Sequence, residues 1–201
     1  EIIMAPSFTD EALEVLCTKK NLRLLKVDMS KEEGGHNQYV SMNGGILVQE
    51  QDIETKTVVA DMCVTEAKPT EVQLTDLDFA WRIVKHVKSN AIVVVKDGAT
   101  LGVGAGQMNR VGSAKIALEQ ATAALAEEGK DIKAEAVVLG SDGFFPFDDT
   151  VTLAAEYGVK AIVQPGGSVR DEDSVKKANE CGITMLCTGM RHFKHENIFR
   201  E

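Results

Sequence analysis

Short apolar runs alternate along this chain with segments whose apolar residues recur every three or four positions. The apolar runs predict buried strands, and the helical spacing predicts amphipathic helices. The predicted strands cover residues 2–5, 22–27, 40–49, 58–64, 91–95, 136–139, 161–163 and 183–187. The predicted helices cover residues 9–19, 75–88, 113–128, 148–157 and 171–180. This alternation predicts the α/β class, with a mixed sheet and flanking helices.

Polar residues and glycines mark where some of these elements begin or change. Thr9 and Thr75 each precede a helical pattern, so each is predicted to cap a helix. Gly44 and Gly45 interrupt the third predicted strand and indicate a bulge or a close approach. No repeat or linker divides residues 1–201, and a boundary near residue 70 stays open.

The other elements are arranged around a glycine-rich passage within residues 85–117. Asp97-Gly98 lies between two apolar runs and therefore predicts a β-hairpin. Gly102, Gly104 and Gly106 alternate after it, which indicates close approach of a ligand or of another backbone; a purely structural bulge stays open. The frame GVGAG differs from GxGxxG, so a dinucleotide site is not predicted.

Three phenylalanines gather in the segment SDGFFPFDD, residues 141–149, directly after a predicted buried strand. Ligands of open α/β sheets bind at the carboxyl ends of strands. Asp148 and Asp149 also fit a plain helix cap. That reading does not account for three aromatic rings in a polar turn, so we predict a clasp for a flat heterocycle whose edge a carboxylate binds.

Two later segments carry polar groups at predicted strand ends. The glycine pair of PGGS, residues 165–168, precedes a helix and predicts either a simple turn or a nest of backbone amides for an anion. The basic cluster RHFKH, residues 191–195, predicts either a phosphate site or a solvated tail. His195 has the side chain best suited to acid–base work near neutral pH.

Composition narrows the class of protein. The chain has 201 residues, a net charge of -9 and 44% hydrophobic content, which argues against nucleic-acid binding because phosphate contacts need a basic surface. No apolar run approaches the roughly 18 residues of a membrane helix. The four cysteines show neither CxxC pairs nor the His spacing of zinc sites, so we expect no metal at a Cys/His cluster and reduced thiols in the cytoplasm.

Five motifs in order carry a family resemblance, namely KHVKSNAIVVVK, GVGAGQMNRV, SDGFFPFDD, QPGGSVRDED and TGMRHFKH. Together they resemble the C-terminal half of the AICAR transformylase domain of the bifunctional purine-biosynthesis enzymes, and the resemblance extends from Glu1 to His195. It implies a cytidine-deaminase-like lobe without zinc. It also implies transfer of a formyl group from 10-formyltetrahydrofolate to the 5-amino group of AICAR, a homodimer, and a monovalent cation near the site.

The resemblance assigns roles to ten residues of this chain. The catalytic positions are Asn90 and His195. The positions that match AICAR-binding residues are Arg110, Phe144, Arg191 and Gly106. The positions that match folate-binding residues are Val111, Asp149, Ser168 and Val169. The physical demands agree, because a weakly nucleophilic amine needs a base for its proton and donors for the oxyanion of the tetrahedral intermediate.

Two departures limit the resemblance. The principal base of the family, a histidine in a KHxNPxG motif, would precede Glu1, so we expect this chain alone to lack turnover and to need the N-terminal half of the domain. Residues 196–201 continue past the position where family chains usually end. The alternatives are a non-catalytic module for folate or nucleotide binding or for dimerisation, and a zinc nucleoside deaminase, which the missing ligand spacing argues against.

Overall fold

A computed structural model describes residues 1–28 and 37–192. His195 and the tail at residues 196–201 lie outside the described residues. The chain divides into two compact units, Glu1–Ile53 and Glu54–Glu201. Within the described residues, no helix has both the length and the apolar character that crossing a membrane requires.

The described residues of the first unit form two small sheets. Its elements are β1 (Ile2–Ala5), α1 (Asp10–Leu16), β2 (Arg23–Lys26), β3 (Asn37–Met42) and β4 (Gly45–Glu50). Strands β1 and β2 pair in parallel, and Thr9 caps α1 as predicted by accepting the Ala12 amide at 3.2 Å. The single strand predicted over residues 40–49 is wrong. That segment belongs to the antiparallel hairpin β3–β4, because Gly44 takes a φ of +81° and reverses the chain there.

The boundary between the units falls after Ile53 rather than near residue 70. Side-chain hydrogen bonds explain the difference, because they join the segment after Ile53 to the second unit. Lys56 Nζ donates to the Thr188 carbonyl at 2.8 Å, and Lys85 Nζ donates to the Glu54 carbonyl at 2.6 Å. These contacts connect positions far apart in the chain, and local composition does not reveal them.

The strand predicted over residues 58–64 is also wrong. Ala60–Met62 forms one turn of 3₁₀ helix, and Cys63 makes only an isolated bridge to Leu186. The Val58 amide donates to Asp78 Oδ1 at 2.8 Å. A backbone donor that is engaged by a side chain is not available for a sheet ladder, so the apolar run does not extend into a strand.

The second unit is built on a five-stranded mixed sheet. Its strands are β5 (Ile92–Lys96), β6 (Ala99–Gly104), β7 (Val138–Ser141), β8 (Ala161–Gln164) and β9 (Thr184–Cys187). Their order is β6-β5-β7-β8-β9; β5 is antiparallel to both of its neighbours, and β7, β8 and β9 are parallel. The hairpin predicted at Asp97-Gly98 is therefore confirmed, and so is the mixed α/β class with flanking helices.

In the part of the second unit that the structure describes, four α-helices cover the two faces of this sheet. They are α2 (Glu71–Val84), α3 (Arg110–Glu127), α4 (Asp149–Glu156) and α5 (Asp171–Glu180). Successive strand residues enter opposite cores because side chains alternate across a sheet: Ile92 and Val94 pack in the core with α3, α4 and α5, whereas Val93 and Val95 pack in the core with α2.

Helix α2 begins earlier than predicted. Thr70, not Thr75, is its cap: the Thr70 hydroxyl accepts the Gln73 amide at 3.2 Å, and Gln73 Oε1 accepts the Thr70 amide at 2.9 Å. This reciprocal capping box satisfies two backbone donors of the first turn. Thr75 lies inside the helix and donates its hydroxyl to the Glu71 carbonyl.

The alternating glycines of β6 are explained by a close approach of helix α3. A Cβ atom at Gly102 would lie 1.9 Å from the Ala117 carbonyl oxygen, and one at Gly104 would lie 1.9 Å from the Ser113 carbonyl oxygen. Both distances are shorter than real contacts, so only glycine permits this packing. Of the predicted explanations, close approach of another backbone is therefore the one that applies at Gly102 and Gly104, rather than approach of a ligand.

Candidate functional site

A cavity of about 310 Å³ opens at one edge of the five-stranded sheet. At this edge β7 and β9 end and β5 begins, and the first turn of α3 lies beside them. The residues that line the cavity are Asn90, Met108, Asn109, Arg110, Gly143, Phe144, Pro146 and Arg191. Four of the ten predicted site residues thus meet in one place, although they come from four separate segments.

A buried ion pair forms the base of this cavity. Arg110 Nη1 bonds to Asp142 Oδ1 and donates to Ser141 Oγ at 2.9 Å. The side chain of Arg110 is 6% exposed and that of Asp142 is fully buried. Asp142 Oδ1 also accepts the Ala91 amide at 3.0 Å, so the pair connects α3 with the start of β5 and the end of β7.

The same arginine fixes the orientation of Asn90. Arg110 Nη2 donates to Asn90 Oδ1 at 2.9 Å, and Asn90 Nδ2 donates to the Gln107 carbonyl at 2.8 Å. The Asn90 carbonyl accepts Ser113 Oγ at 2.7 Å. Since an amide nitrogen carries two hydrogens and one is used by Gln107, Asn90 Nδ2 has a second hydrogen that makes no bond to residues 1–28 or 37–192 and can donate to a ligand in the cavity.

The predicted clasp of three phenylalanines is wrong. Phe144 is half-buried and lines the cavity, but Phe145 is fully buried in the core. Phe147 is 51% exposed, and the Arg170 guanidinium lies 5.2 Å from the centre of its ring. The three rings therefore have three different environments, which their proximity in the sequence does not reveal.

The predicted anion nest at residues 165–168 is filled by side chains of the chain itself. The Gly167 amide donates to Asp171 Oδ2 at 2.6 Å, and the Gly166 amide donates to Gln164 Oε1 at 3.0 Å. Both glycines have positive φ, as a nest requires. Because these amides are already engaged, the segment is a turn that is closed by its own carboxylate rather than an open anion site.

Five predicted site residues lie outside the lining of the cavity. The five are Gly106, Val111, Asp149, Ser168 and Val169. Gly106 has a φ of +66° and donates its amide to the Lys88 carbonyl at 2.9 Å. Asp149 is exposed at the first position of α4, and Val169 is fully exposed. Apart from Val111, which is in the first turn of α3, the positions that match folate-binding residues lie on the surface near the start of α4 and α5.

The sequence pattern did not single out Asp142, Met108 or Asn109. Asp142 follows β7 directly, so a carboxylate at a buried strand end was the available signal. Asn109 caps α3 by accepting the Gly112 amide at 2.7 Å, which places the start of the helix at Arg110 rather than at Ser113. Met108 is almost fully exposed at the mouth of the cavity.

Cys187, at the end of β9, has a large pKa shift. Burial raises the pKa of its thiol to about 11, and the negative charge of Asp171 adds to this. The thiolate is therefore strongly disfavoured at neutral pH. In residues 1–28 and 37–192 no group of three or more His, Cys, Asp or Glu side chains could hold a metal ion.

The fold and the cavity define an α/β protein with a polar site at a sheet edge, and comparison with known proteins gives the family. Residues 1–120 match the sequence profile of the AICARFT/IMPCHase bienzyme. The chain belongs to this family. It is 58% identical over 195 residues to the bifunctional purine biosynthesis protein PurH of Anoxybacillus flavithermus and 56% identical over 195 residues to that of Bacillus subtilis. Each alignment covers 97% of this chain and 36% of the relative, so the chain spans about a third of the length of these proteins.

Two solved structures of deaminases show a weaker likeness. A diaminohydroxyphosphoribosylaminopyrimidine deaminase/5-amino-6-(5-phosphoribosylamino)uracil reductase from Thermotoga maritima is 20% identical with a TM-score of 0.33; the match covers 57% of this chain and 34% of that one. The dCMP deaminase of the cyanophage S-TIM5 is 19% identical with a TM-score of 0.34; the match covers 53% of this chain and 87% of that one. TM-scores this low support no statement about the present chain.

Proposed function

We propose that this chain supplies part of the active site for transfer of a formyl group from 10-formyltetrahydrofolate to the 5-amino group of AICAR, in the biosynthesis of inosine monophosphate. The observation that carries the proposal is the convergence of Asn90, Arg110, Phe144 and Arg191 on one cavity. Residue identity at these positions comes from the family resemblance, and their meeting in space comes from the fold.

The roles follow from the chemistry of each group. The Arg191 guanidinium binds the 5′-phosphate of the ribotide, for which its planar set of donors is suited. The Phe144 ring packs against the flat heterocycle. The remaining hydrogen of Asn90 Nδ2 donates to the oxyanion that forms when the amine attacks the formyl carbon. Arg110 keeps that amide in place, because its Nη2 is bonded to Asn90 Oδ1.

The other components of the proposal rest on the family resemblance. His195 transfers a proton, Gly106 contacts AICAR, and 10-formyltetrahydrofolate binds at Val111, Asp149, Ser168 and Val169. A homodimer and a cytoplasmic location belong to the same proposal. For the monovalent cation, Asp142 offers a suitable group, because its Oδ2 is buried and makes no hydrogen bond within the described part of the chain.

A chimaeric enzyme tests which of the two activities of the family this segment serves. The matching 36% of the Bacillus subtilis relative would be replaced by this chain, and formyl transfer and ring closure to inosine monophosphate would be assayed separately. Asn90→Ala should lower the kcat of formyl transfer about 100-fold or more and leave ring closure unchanged. Arg82→Ala, which removes an exposed arginine outside the cavity, is the control.

Two other outcomes of the chimaera experiment would contradict the assignment to formyl transfer. Loss of ring closure with formyl transfer intact would refute the assignment, because the segment would then belong to the cyclohydrolase. Tight binding of AICAR by a chimaera that transfers no formyl group would favour the non-catalytic binding module instead.

A further inference from the structure

The segment that follows β9 carries Arg191 to the cavity, and hydrogen bonds fix its backbone at both ends. The Thr188 amide donates to the Gln164 carbonyl at 3.0 Å, and the His192 amide donates to the Asp142 carbonyl at 3.0 Å. Arg191 lies between these two points, is exposed and lines the cavity. Its position therefore depends on how firmly the segment is held at His192.

His192 faces the interior. Its side chain is fully buried, and its ring centre lies 4.5 Å from that of Trp81 at an interplanar angle of 44°. Trp81 is itself fully buried in α2, in the core between that helix and the sheet. Aromatic pairs at this separation are favourable beyond the area that they bury. The contact therefore joins the Arg191 segment to helix α2, which packs on one face of the sheet.

We propose that His192 is a positioning residue for Arg191: by packing on Trp81, it holds the guanidinium at the cavity and thereby sets the affinity of the site for the phosphate of its ligand. The inference rests on the proposed function only in that the phosphate belongs to the AICAR ribotide. The Trp81–His192 contact itself is independent of the ligand.

The size of the effect follows from the cost of ordering one side chain. When the segment is not anchored, Arg191 must be immobilised as the ligand binds, which weakens affinity about threefold to tenfold. Complete removal of the guanidinium loses charged hydrogen bonds and weakens affinity by about tenfold or more. The nucleoside without its phosphate does not use Arg191, so its affinity should not change in either case.

The test measures the ratio of the affinity of the whole 201-residue chain for the AICAR ribotide to its affinity for the phosphate-free nucleoside, by calorimetry. His192→Ala should lower this ratio about threefold to tenfold, and His192→Phe, which keeps a ring against Trp81, should restore it. In an Arg191→Ala background, His192→Ala should lower the ratio no further. Leu77→Ala, at another fully buried position of α2, is the control for a general loss of stability.

Equal weakening of both ligands by His192→Ala would overturn the proposal, because it would show a merely structural role. The same conclusion would follow if Leu77→Ala lowered the ratio as much as His192→Ala. An unchanged ratio in Arg191→Ala would refute the phosphate site of the proposed function instead.

A measurement made without any ligand tests the anchoring role of His192 independently of the proposed binding of AICAR. The rate at which phenylglyoxal modifies Arg191, followed by peptide mass spectrometry, should rise in His192→Ala and stay at the wild-type value in Leu77→Ala and His192→Phe. An unchanged rate in His192→Ala would overturn the anchoring role even if the wild-type chain bound neither compound.

Discussion

The buried ion pair between Arg110 and Asp142 predicts a large loss of stability when only one partner is removed. In Arg110→Met, a fully buried carboxylate loses its counter-charge and keeps only the Ala91 amide as a donor to Oδ1, since Oδ2 has no hydrogen bond within the described residues. In Asp142→Asn, the buried guanidinium of Arg110 is left without a negative partner. An uncompensated buried charge costs about 3–5 kcal/mol.

The double variant gives the sharper result. Arg110→Met combined with Asp142→Asn removes both charges, so neither remains uncompensated. Its free energy of unfolding should exceed the value expected from adding the two single losses by about 2 kcal/mol, a coupling typical of side chains in direct contact. The double variant should therefore lose less free energy of unfolding than the two single variants lose in sum.

Urea unfolding followed by tryptophan fluorescence measures these changes, because Trp81 is the single tryptophan and is buried in the second unit. At a slope of about 2 kcal/mol per molar urea, a loss of 3–5 kcal/mol lowers the midpoint by roughly 1.5–2.5 M. The control is Arg82→Met. Arg82 also pairs with an aspartate, at 2.7 Å, but its side chain is 51% exposed, so its loss should cost at most about 1 kcal/mol.

Two results would refute this reasoning. Strict additivity of the two single variants would mean that the charges do not interact in solution. Equal losses in Arg110→Met and Arg82→Met would mean that burial does not determine the strength of the effect.

Three further predictions test the fold and its chemistry. Gly104→Ala should destabilise the protein by about 1–3 kcal/mol because the new Cβ meets a helix carbonyl at 1.9 Å. Gly45→Ala, with open space around it, should be nearly neutral; because Gly45 lies in the first unit and Trp81 in the second, urea unfolding of both variants would be followed by far-UV circular dichroism. Thr70→Ala should cost about 1 kcal/mol and Thr75→Ala much less, and the reverse order would contradict the capping box. The raised pKa of Cys187 means that the folded state holds this proton more tightly than the unfolded state; stability should therefore fall as pH rises from about 9 to about 11, and Cys187→Ala should reduce that fall. A pH dependence identical in wild type and variant would contradict the assignment.

Local patterns predicted those elements whose signal lies within a few residues. Asp97-Gly98 gave the central hairpin, and Thr9 gave the cap of α1. The start of α2 was also readable, because Gln73 three residues after Thr70 forms the pattern of a capping box. A threonine alone is an acceptable cap at either position. Thr70 is distinguished from Thr75 only when the residue three positions later is considered as well.

Part of the candidate site could also be predicted before the fold was known. The motifs identified Asn90, Arg110, Phe144 and Arg191, and the structure brings these four residues to one cavity. Asp142 was not identified, because its one signal, a carboxylate at a buried strand end, does not reveal which residue it will pair with. Its partner, Arg110, lies 32 residues earlier in the chain.

The sequence by itself determined the α/β class, most of the elements in the second unit and the family of this chain, because periodicity, turn residues and motifs are local properties. Only the tertiary structure decided that Phe145 belongs to the core, that Gly102 faces a helix backbone, that Asp171 fills its own amide nest and that Arg110 pairs with Asp142. Each of these outcomes depends on which atoms become neighbours in space. The environment of a side chain, and therefore its role, is set when distant segments pack together.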